Sequence, residues 1–202
     1  MVDDTLEQMS SAAIAGKVRR RFSPREYLLL ERQADSKSEY YEGEIFAMAG
    51  ATPEHNFITA NVIAVLAPLL RKIGCRVLAS DQRIAAPSGN YFYADVSAVC
   101  GEARFSDRQK DTLTNPALIV EVLSKSTQQF DRRVKLAEYQ QMPSVREISL
   151  VSQERLRVEH YSRQPRKQWT IHTASKLSGV IEIASLSASL PIAEIYAGLR
   201  FD

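Results

Sequence analysis

Apolar residues recur at spacings of three and four at Ile58, Val62, Val65, Leu66, Leu69 and Ile73, a wide stripe that predicts a long helix opening at Thr52-Pro53 and closing at Gly74. A shorter helix is expected from Ser23 to about Gln33. Its start is a capping box, in which the Ser23 hydroxyl accepts from the Glu26 backbone, the Glu26 carboxylate reaches back, and Pro24 fits the first helical position. The run from Glu39 to Met48 is rich in aromatic and β-favouring residues around Glu42-Gly43 and predicts a hairpin. Arg76 to Ala86 and Tyr91 to Cys100 read as a strand pair about a Pro87-Ser88-Gly89-Asn90 turn. The polar stretch from Gly101 to Asn115 reads as a loop, and Ala117 to Leu123 as a buried strand. A helix from about Phe130 to Gln141 is closed by Pro143, and strands follow at Arg146 to Val151, Leu156 to Tyr161 and Trp169 to Thr173, with a turn at Gln164 to Lys167. Helices mixed with a central sheet give an α/β or α+β fold.

The length of 202 residues suits one domain with a full core, and 45% hydrophobic with 25% charged residues is ordinary globular composition. Residues 1–22 read as a flexible N-terminal tail and residues 23–202 as a single domain. Lys17, Arg19, Arg20 and Arg21 form a basic run that can meet phosphate, although a solvated segment is the commoner outcome. The net charge of +2 neither requires nor excludes a nucleic-acid partner. Cys75 and Cys100 lack zinc-ligand spacing and are expected as free buried thiols in a reducing compartment. No apolar stretch approaches the roughly 20 residues of a membrane helix, and no signal core stands at the N-terminus, so a cytoplasmic protein is expected. Scattered glycines exclude a P-loop or a dinucleotide loop, and no G-x-S-x-G elbow is present.

Two carboxylates are out of place. In the strand Tyr91 to Cys100, Phe92, Ala94, Val96, Ala98 and Cys100 share an apolar face, which leaves Asp95 opposite with Tyr93 and Ser97. In the run ALIVEVLS the lone charge is Glu121, and an ionised carboxylate there costs several kcal/mol unless a cation, a metal or hydrogen bonds offset it. Acids on adjacent strands can hold Mg²⁺, which takes one or two protein carboxylates and leaves the rest of its shell to phosphate and water. The plainer reading pairs Glu121 with a core Arg or Lys and leaves Asp95 exposed. On the following helix Asp131, Lys135 and Tyr139 share one face, with Val134 and Ala137 on a different, apolar side. An exposed Asp131–Lys135 pair would be worth only a few tenths of a kcal/mol.

The order YADVSAVC, EVLSKST and DRRVKLAEYQQM, with the YYEGEIFAMAG hairpin, His55 opening the long helix and the terminal IAEIYAGL, resembles the PD-(D/E)XK or restriction-endonuclease-like superfamily. Most closely it resembles the putative restriction endonuclease group formerly known as a domain of unknown function. The likeness spans roughly Ser23 to Phe201. It implies a mixed β-sheet flanked by helices, Mg²⁺ or Mn²⁺ as cofactor, and hydrolysis of DNA phosphodiester bonds. Asp95 and Glu121 would be the metal-binding acids of the first and second motifs. Ala94 replaces the proline that usually precedes the first acid. Leu123 stands where the superfamily has lysine, and the close group supplies that lysine from the next helix, which points to Lys135. Lys125 is a second candidate, since it would share the face of Glu121 if the strand continued that far.

His55 is expected near the site, against the commoner capping or surface role of a histidine in a first helical turn. Either Glu39 or Glu44 can extend the metal shell, but not both, because their strand parity is opposite; Glu44 is carried with Asp95 and Glu121 as a metal-binding candidate. His160, His172 and Trp169 are read as ordinary structural residues. The resulting expectation is a metal-dependent endonuclease acting on DNA as a homodimer. The alternative is a catalytically inactive nucleic-acid-binding or oligomeric module that retains the nuclease fold.

Overall fold

The computed structural model describes residues 20–201. Most of the expected tail therefore lies outside the described residues. Its last part is anchored: Arg20 pairs with Glu26 at 3.6 Å, Arg21 Nη1 donates to the Glu42 carbonyl at 3.0 Å, and the Phe22 N–H donates to the Gly43 carbonyl at 2.8 Å.

Helix α1 (Pro24–Glu31) starts with both halves of the capping box formed, at 3.2 Å to Ser23 Oγ and 2.8 Å to Glu26 Oε2. Strands β1 (Ser38–Tyr41) and β2 (Glu44–Ala47) make the expected hairpin. Glu42 at φ 48° and Gly43 at φ 88° are both left-handed, as a two-residue type I′ turn demands. Helix α2 (Pro53–Lys72) buries Ile58, Val62, Leu66 and Leu70 completely. Ile73, expected to close the stripe, is its exposed C-cap and lies past the last turn.

The two long strands of the sequence reading are each broken. Arg76 to Ala86 becomes β3 (Cys75–Ala79) and β4 (Arg83–Ala85), and Tyr91 to Cys100 becomes β5 (Tyr91–Tyr93) and β6 (Val96–Cys100). The antiparallel pair β4–β5 belongs to a five-stranded sheet, while β3–β6 belongs to a six-stranded sheet. The hairpin thus bends from one sheet into the other, and the bend at Ala94-Asp95 exchanges faces. Phe92 and Ala94 enter one core, Val96 and Ala98 the other, so their common parity does not keep them on one face. The expected loop from Gly101 also contains β7 (Thr112–Leu113), which pairs in parallel with β4.

In the six-stranded sheet, β8 (Leu118–Leu123) lies between β6, antiparallel, and β9 (Glu147–Ser152), parallel; β10 (Val158–Arg163) and β11 (Trp169–Ala174) complete it. Helix α3, over residues 128–141, combines an α-turn (Gln128–Phe130), a π-helical stretch (Asp131–Lys135) and an α-helical end (Leu136–Gln141). Side-chain parity along β8 divides the core. Leu118, Val120 and Val122 pack beneath α2, whereas Ile119 and Leu123 pack beneath Tyr139 and Met142 at the other face. Ala137, read as apolar and inward, is exposed. After β11 come β12 (Val180–Ile183), β13 (Ala188–Pro191) and α4 (Ile192–Ile195), which close the α2 side of the core. Among the described residues no helix is long and apolar enough to cross a membrane.

Cys75 and Cys100 are not free thiols but a disulfide. They stand directly opposite each other in the β3–β6 ladder, a register that zinc-motif spacing cannot reveal. A bridge across a sequence separation of 25 restricts the unfolded chain and is worth about 3 kcal/mol. Denatured without reductant, the protein should leave both cysteines unreactive towards a thiol dye, and the Cys75→Ser/Cys100→Ser variant should lose about that stability in urea titration. Two reactive thiols in the unreduced protein would contradict the pairing.

Candidate active site

The bend between β5 and β6 leaves a wedge between the two sheets, bounded by the first turn of α2 and the start of α3. This cleft, of about 770 Å³, is lined by Glu39, His55, Asp95, Glu121, Asp131 and Lys135, among others. Backbone groups hold two of the acids. Asp95 Oδ2 accepts the Val122 N–H at 2.7 Å, taking the place of a strand carbonyl just where the β6–β8 ladder stops. Glu39 Oε1 accepts the Tyr93 N–H at 3.0 Å beyond the short β1–β5 pairing.

Lys135 is the cation that Glu121 needs. Its Nζ lies 2.7 Å from Glu39 Oε1, 3.4 Å from Asp131 Oδ1 and 3.5 Å from Glu121 Oε1. Burial pushes the ammonium towards neutrality, but the charges of Glu121, Glu39 and Asp131 outweigh it and hold the pKa above its ordinary value. Glu121 also accepts the Tyr139 hydroxyl at 2.7 Å. Even so, burial drives the Glu121 pKa well up; Lys135 opposes the shift, while Asp95, Asp131 and Glu39 add to it. The surface-pair reading of Asp131 and Lys135 is overturned, since both are buried.

His55 closes the other side, with Nε2 at 3.3 Å from Asp95 Oδ2. Burial lowers its pKa, and the hydrogen bond and charge of Asp95 more than reverse this, so the imidazole titrates above its ordinary value. Its Nδ1 is buried with no hydrogen-bond partner. Thr52 caps the helix beneath it, donating no group itself but accepting the His55 N–H at 3.3 Å.

Two of the candidates fall outside the cluster. Glu44 is not among the residues lining the cleft, whereas Glu39 is. The expectation that the two acids face opposite ways fails: pairing of Glu39 with Phe46 and of Tyr41 with Glu44 puts both on one face of the hairpin, and only their position along it separates them. Lys125 is exposed on the turn after β8, because the strand ends at Leu123 and strand parity carries no further. Leu123 is buried against the α3 side of the core. Lys135, from the next helix, brings an ammonium to 3.5 Å from Glu121. Sequence reasoning missed the Tyr139–Glu121 bond and the loop hydroxyls of Ser124, Ser126 and Thr127, which bond to one another on the cleft wall. The run of serine and threonine directly after the buried acid was the available signal.

The donor set fits a hard divalent cation. Glu39, Asp95, Glu121 and Asp131 together outnumber the Lys135 ammonium, the cleft's other lysine, Lys37, being paired with Asp81, and all their donor atoms are oxygen. Among the described residues no three acidic, histidine or cysteine side chains converge on one point as a ready-made metal cage. Asp95 and Glu121 are the pair that would hold the ion, with water and phosphate completing its shell.

The charge excess predicts opposite effects for two substitutions. Removing the ammonium in Lys135→Met strands three carboxylates and should cost about 3–5 kcal/mol, measured by urea unfolding. Glu121→Gln leaves Lys135 paired with Glu39 and Asp131. Because the folded protein raises the Glu121 pKa, its ionisation penalises folding at pH values above the ordinary value of 4.5 and is absent below it. The metal-free Glu121→Gln protein should therefore match the parent at pH 4 and equal or exceed its stability at pH 7–8. A large loss at neutral pH would contradict this charge balance.

Residues 24–193 match the family model described as Putative restriction endonuclease, Uma2. An uncharacterized protein of Synechocystis sp. (strain ATCC 27184 / PCC 6803 / Kazusa) is 42% identical over 150 residues, which cover 72% of this chain and 83% of that protein. A second uncharacterized protein of the same organism is 32% identical over 183 residues, covering 90% and 94%. The crystal structure of a putative nuclease belonging to DUF820 from Anabaena variabilis ATCC 29413 aligns with a TM-score of 0.71 over 87% of this chain and 98% of that one. At 17% identity that likeness is one of fold, and the fold is a mixed-sheet, restriction-endonuclease-like one. From the family match over most of its length, the chain belongs to the Uma2 family of putative restriction endonucleases.

Proposed function

We propose that the protein is a metal-dependent endonuclease that hydrolyses DNA phosphodiester bonds, with Asp95 and Glu121 binding Mg²⁺ or Mn²⁺. The observation that carries this reading is a fully buried Glu121, under-neutralised by Lys135, on the wall of an open cleft beside Asp95. A bound divalent ion would lower the pKa of water and stabilise charge growing on the phosphoryl group.

The chain's own residues supply the rest. Lys135 keeps its proton and presents an ammonium to the non-bridging oxygens as negative charge builds on them. Glu39 and Asp131 orient that ammonium, and the Tyr139 hydroxyl fixes the Glu121 carboxylate. His55, through Nε2, orients Asp95 and acts as a positioning residue. Hydrolysis adds water to phosphorus and breaks the bond to one ester oxygen, which leaves with a proton.

The inactive-module alternative draws on Leu123; the Lys135 Nζ 3.5 Å from Glu121 supports the catalytic reading in its place. One centre per chain cuts both strands of a duplex when two chains act together, so the reading includes a homodimer. A clean monomer in light scattering on DNA would remove the dimer.

The test is nicking of supercoiled plasmid with Mg²⁺ or Mn²⁺. Asp95→Ala, Glu121→Ala and Lys135→Ala should each lose cleavage by about a hundredfold or more, the scale of removing a group that stabilises transition-state charge. Lys125→Ala should cut like the parent. If Asp95→Ala and Glu121→Ala both retain full activity, the assignment is wrong.

A further inference from the structure

A second concave site lies at the opposite end of the sheet. Its lining includes Gln140, Gln141, Arg146, Arg163, Gln164 and Arg166, with a volume of about 630 Å³ and no acidic residue in the wall. Arg163 is built into the fold: Nε donates to the Val145 carbonyl at 2.7 Å, and Nη2 to the Gln140 and Met142 carbonyls at 2.8 and 2.7 Å. Its guanidinium also lies over the Trp169 ring at 4.6 Å. These bonds fix one cation at the floor of the site and leave Nη1 outside them. Arg146, just before β9, and Arg166, in the β10–β11 turn, are both exposed at its rim. Neither makes an ion pair among the described residues. Burial and the neighbouring Arg146 charge both push the Arg163 pKa down. Like charges gathered in a concavity without a carboxylate repel one another, and an anion relieves that cost.

The position of this site relative to the catalytic cleft narrows the choice of anion. Helix α3 begins at the cleft with Thr127 and Phe130 and ends at the arginines with Gln140 and Gln141. β9 spans the same distance in the opposite direction, from Arg146 to the cleft-lining Gln153. Either element spans about 20 Å, which equals about six base-pair steps of a duplex. Between the two ends α3 exposes Arg133, Ala137 and Gln141 at helical spacing. Planar guanidinium forks match the oxygens of a phosphoryl group.

We infer that Arg146, Arg163 and Arg166 form a second phosphate-binding site that holds the backbone of the DNA whose scissile bond occupies the catalytic cleft, about six base pairs away. The inference rests on the nuclease reading above and adds a contact that fixes the duplex along α3. It carries no base readout, since phosphate contacts position a duplex and do not specify its sequence.

The test uses the full chain and the variant Arg146→Gln/Arg166→Gln, which spares the structural Arg163. Binding of a labelled 24-base-pair duplex is measured by fluorescence anisotropy over a salt series. The variant should bind more weakly, and its slope of log K against log salt should be shallower than the parent's by about 1 for each phosphate lost. Arg146→Lys/Arg166→Lys, which keeps both charges, should recover most of the slope. Equal affinity and slope in parent and Gln variant would overturn the inference while leaving the nuclease reading intact. Failure of every protein to bind DNA would overturn both. A rise in Tm with inorganic phosphate, lost in the Gln variant without any change in DNA slope, would identify a free-anion site and overturn the backbone assignment.

Discussion

One ammonium surrounded by more carboxylate than it can neutralise is the constraint on which this site depends. Lys135 ties together β1 through Glu39, β8 through Glu121 and its own helix through Asp131, all out of water. A fold selected for stability alone gains little from such a cluster, because desolvating each charge costs several kcal/mol and apolar packing of the same volume serves as well or better. The cost of ionising the buried Glu121 is what gives the arrangement chemical meaning on the reading proposed above. It is an energetic deficit held open at the wall of a cleft, and a small doubly charged cation with hard-oxygen preference removes it.

The backbone makes that deficit possible. Where the long hairpin leaves one sheet for the other, ladders end early and strand N–H groups lose their carbonyl partners. Asp95 and Glu39 fill those vacancies at Val122 and Tyr93. Each acid is therefore held by a fixed backbone dipole, which costs little mobility and directs its remaining oxygen towards the cleft. The π-helical stretch of α3 coincides with Asp131–Lys135, the segment that turns both charged side chains inward, and such departures from regular helix recur at functional sites.

Much of this was legible in the residues. The lone charge in ALIVEVLS is a local violation of hydrophobic patterning, and it marked Glu121 without any structure. The shared face of Asp131, Lys135 and Tyr139 follows from helical spacing; Lys135 and Tyr139 reach Glu121, and Asp131 pairs with Lys135. The capping box and the Glu42-Gly43 turn were equally plain, since both depend on contacts within a few residues. What escaped depends on pairings distant in sequence. Strand parity predicted a single apolar face for Tyr91 to Cys100, and a bend between two sheets defeats parity. The same bend explains why Asp95 sits at a junction instead of mid-strand. The Cys75–Cys100 bond rests on ladder register, and the preference for Glu39 over Glu44 rests on position along the hairpin, since the two acids share a face. Parity counted along the sequence misled there, because the Glu42-Gly43 turn puts the two acids on different strands.

The central claim is that Asp95 and Glu121 share a divalent ion. The most direct measurement is anomalous scattering from crystals of the protein grown or soaked with Mn²⁺. The account predicts an anomalous peak bridging the Asp95 and Glu121 carboxylates, with Lys135 still paired to Glu39. Well-ordered carboxylates with no peak between them, or manganese bound only elsewhere, would contradict it.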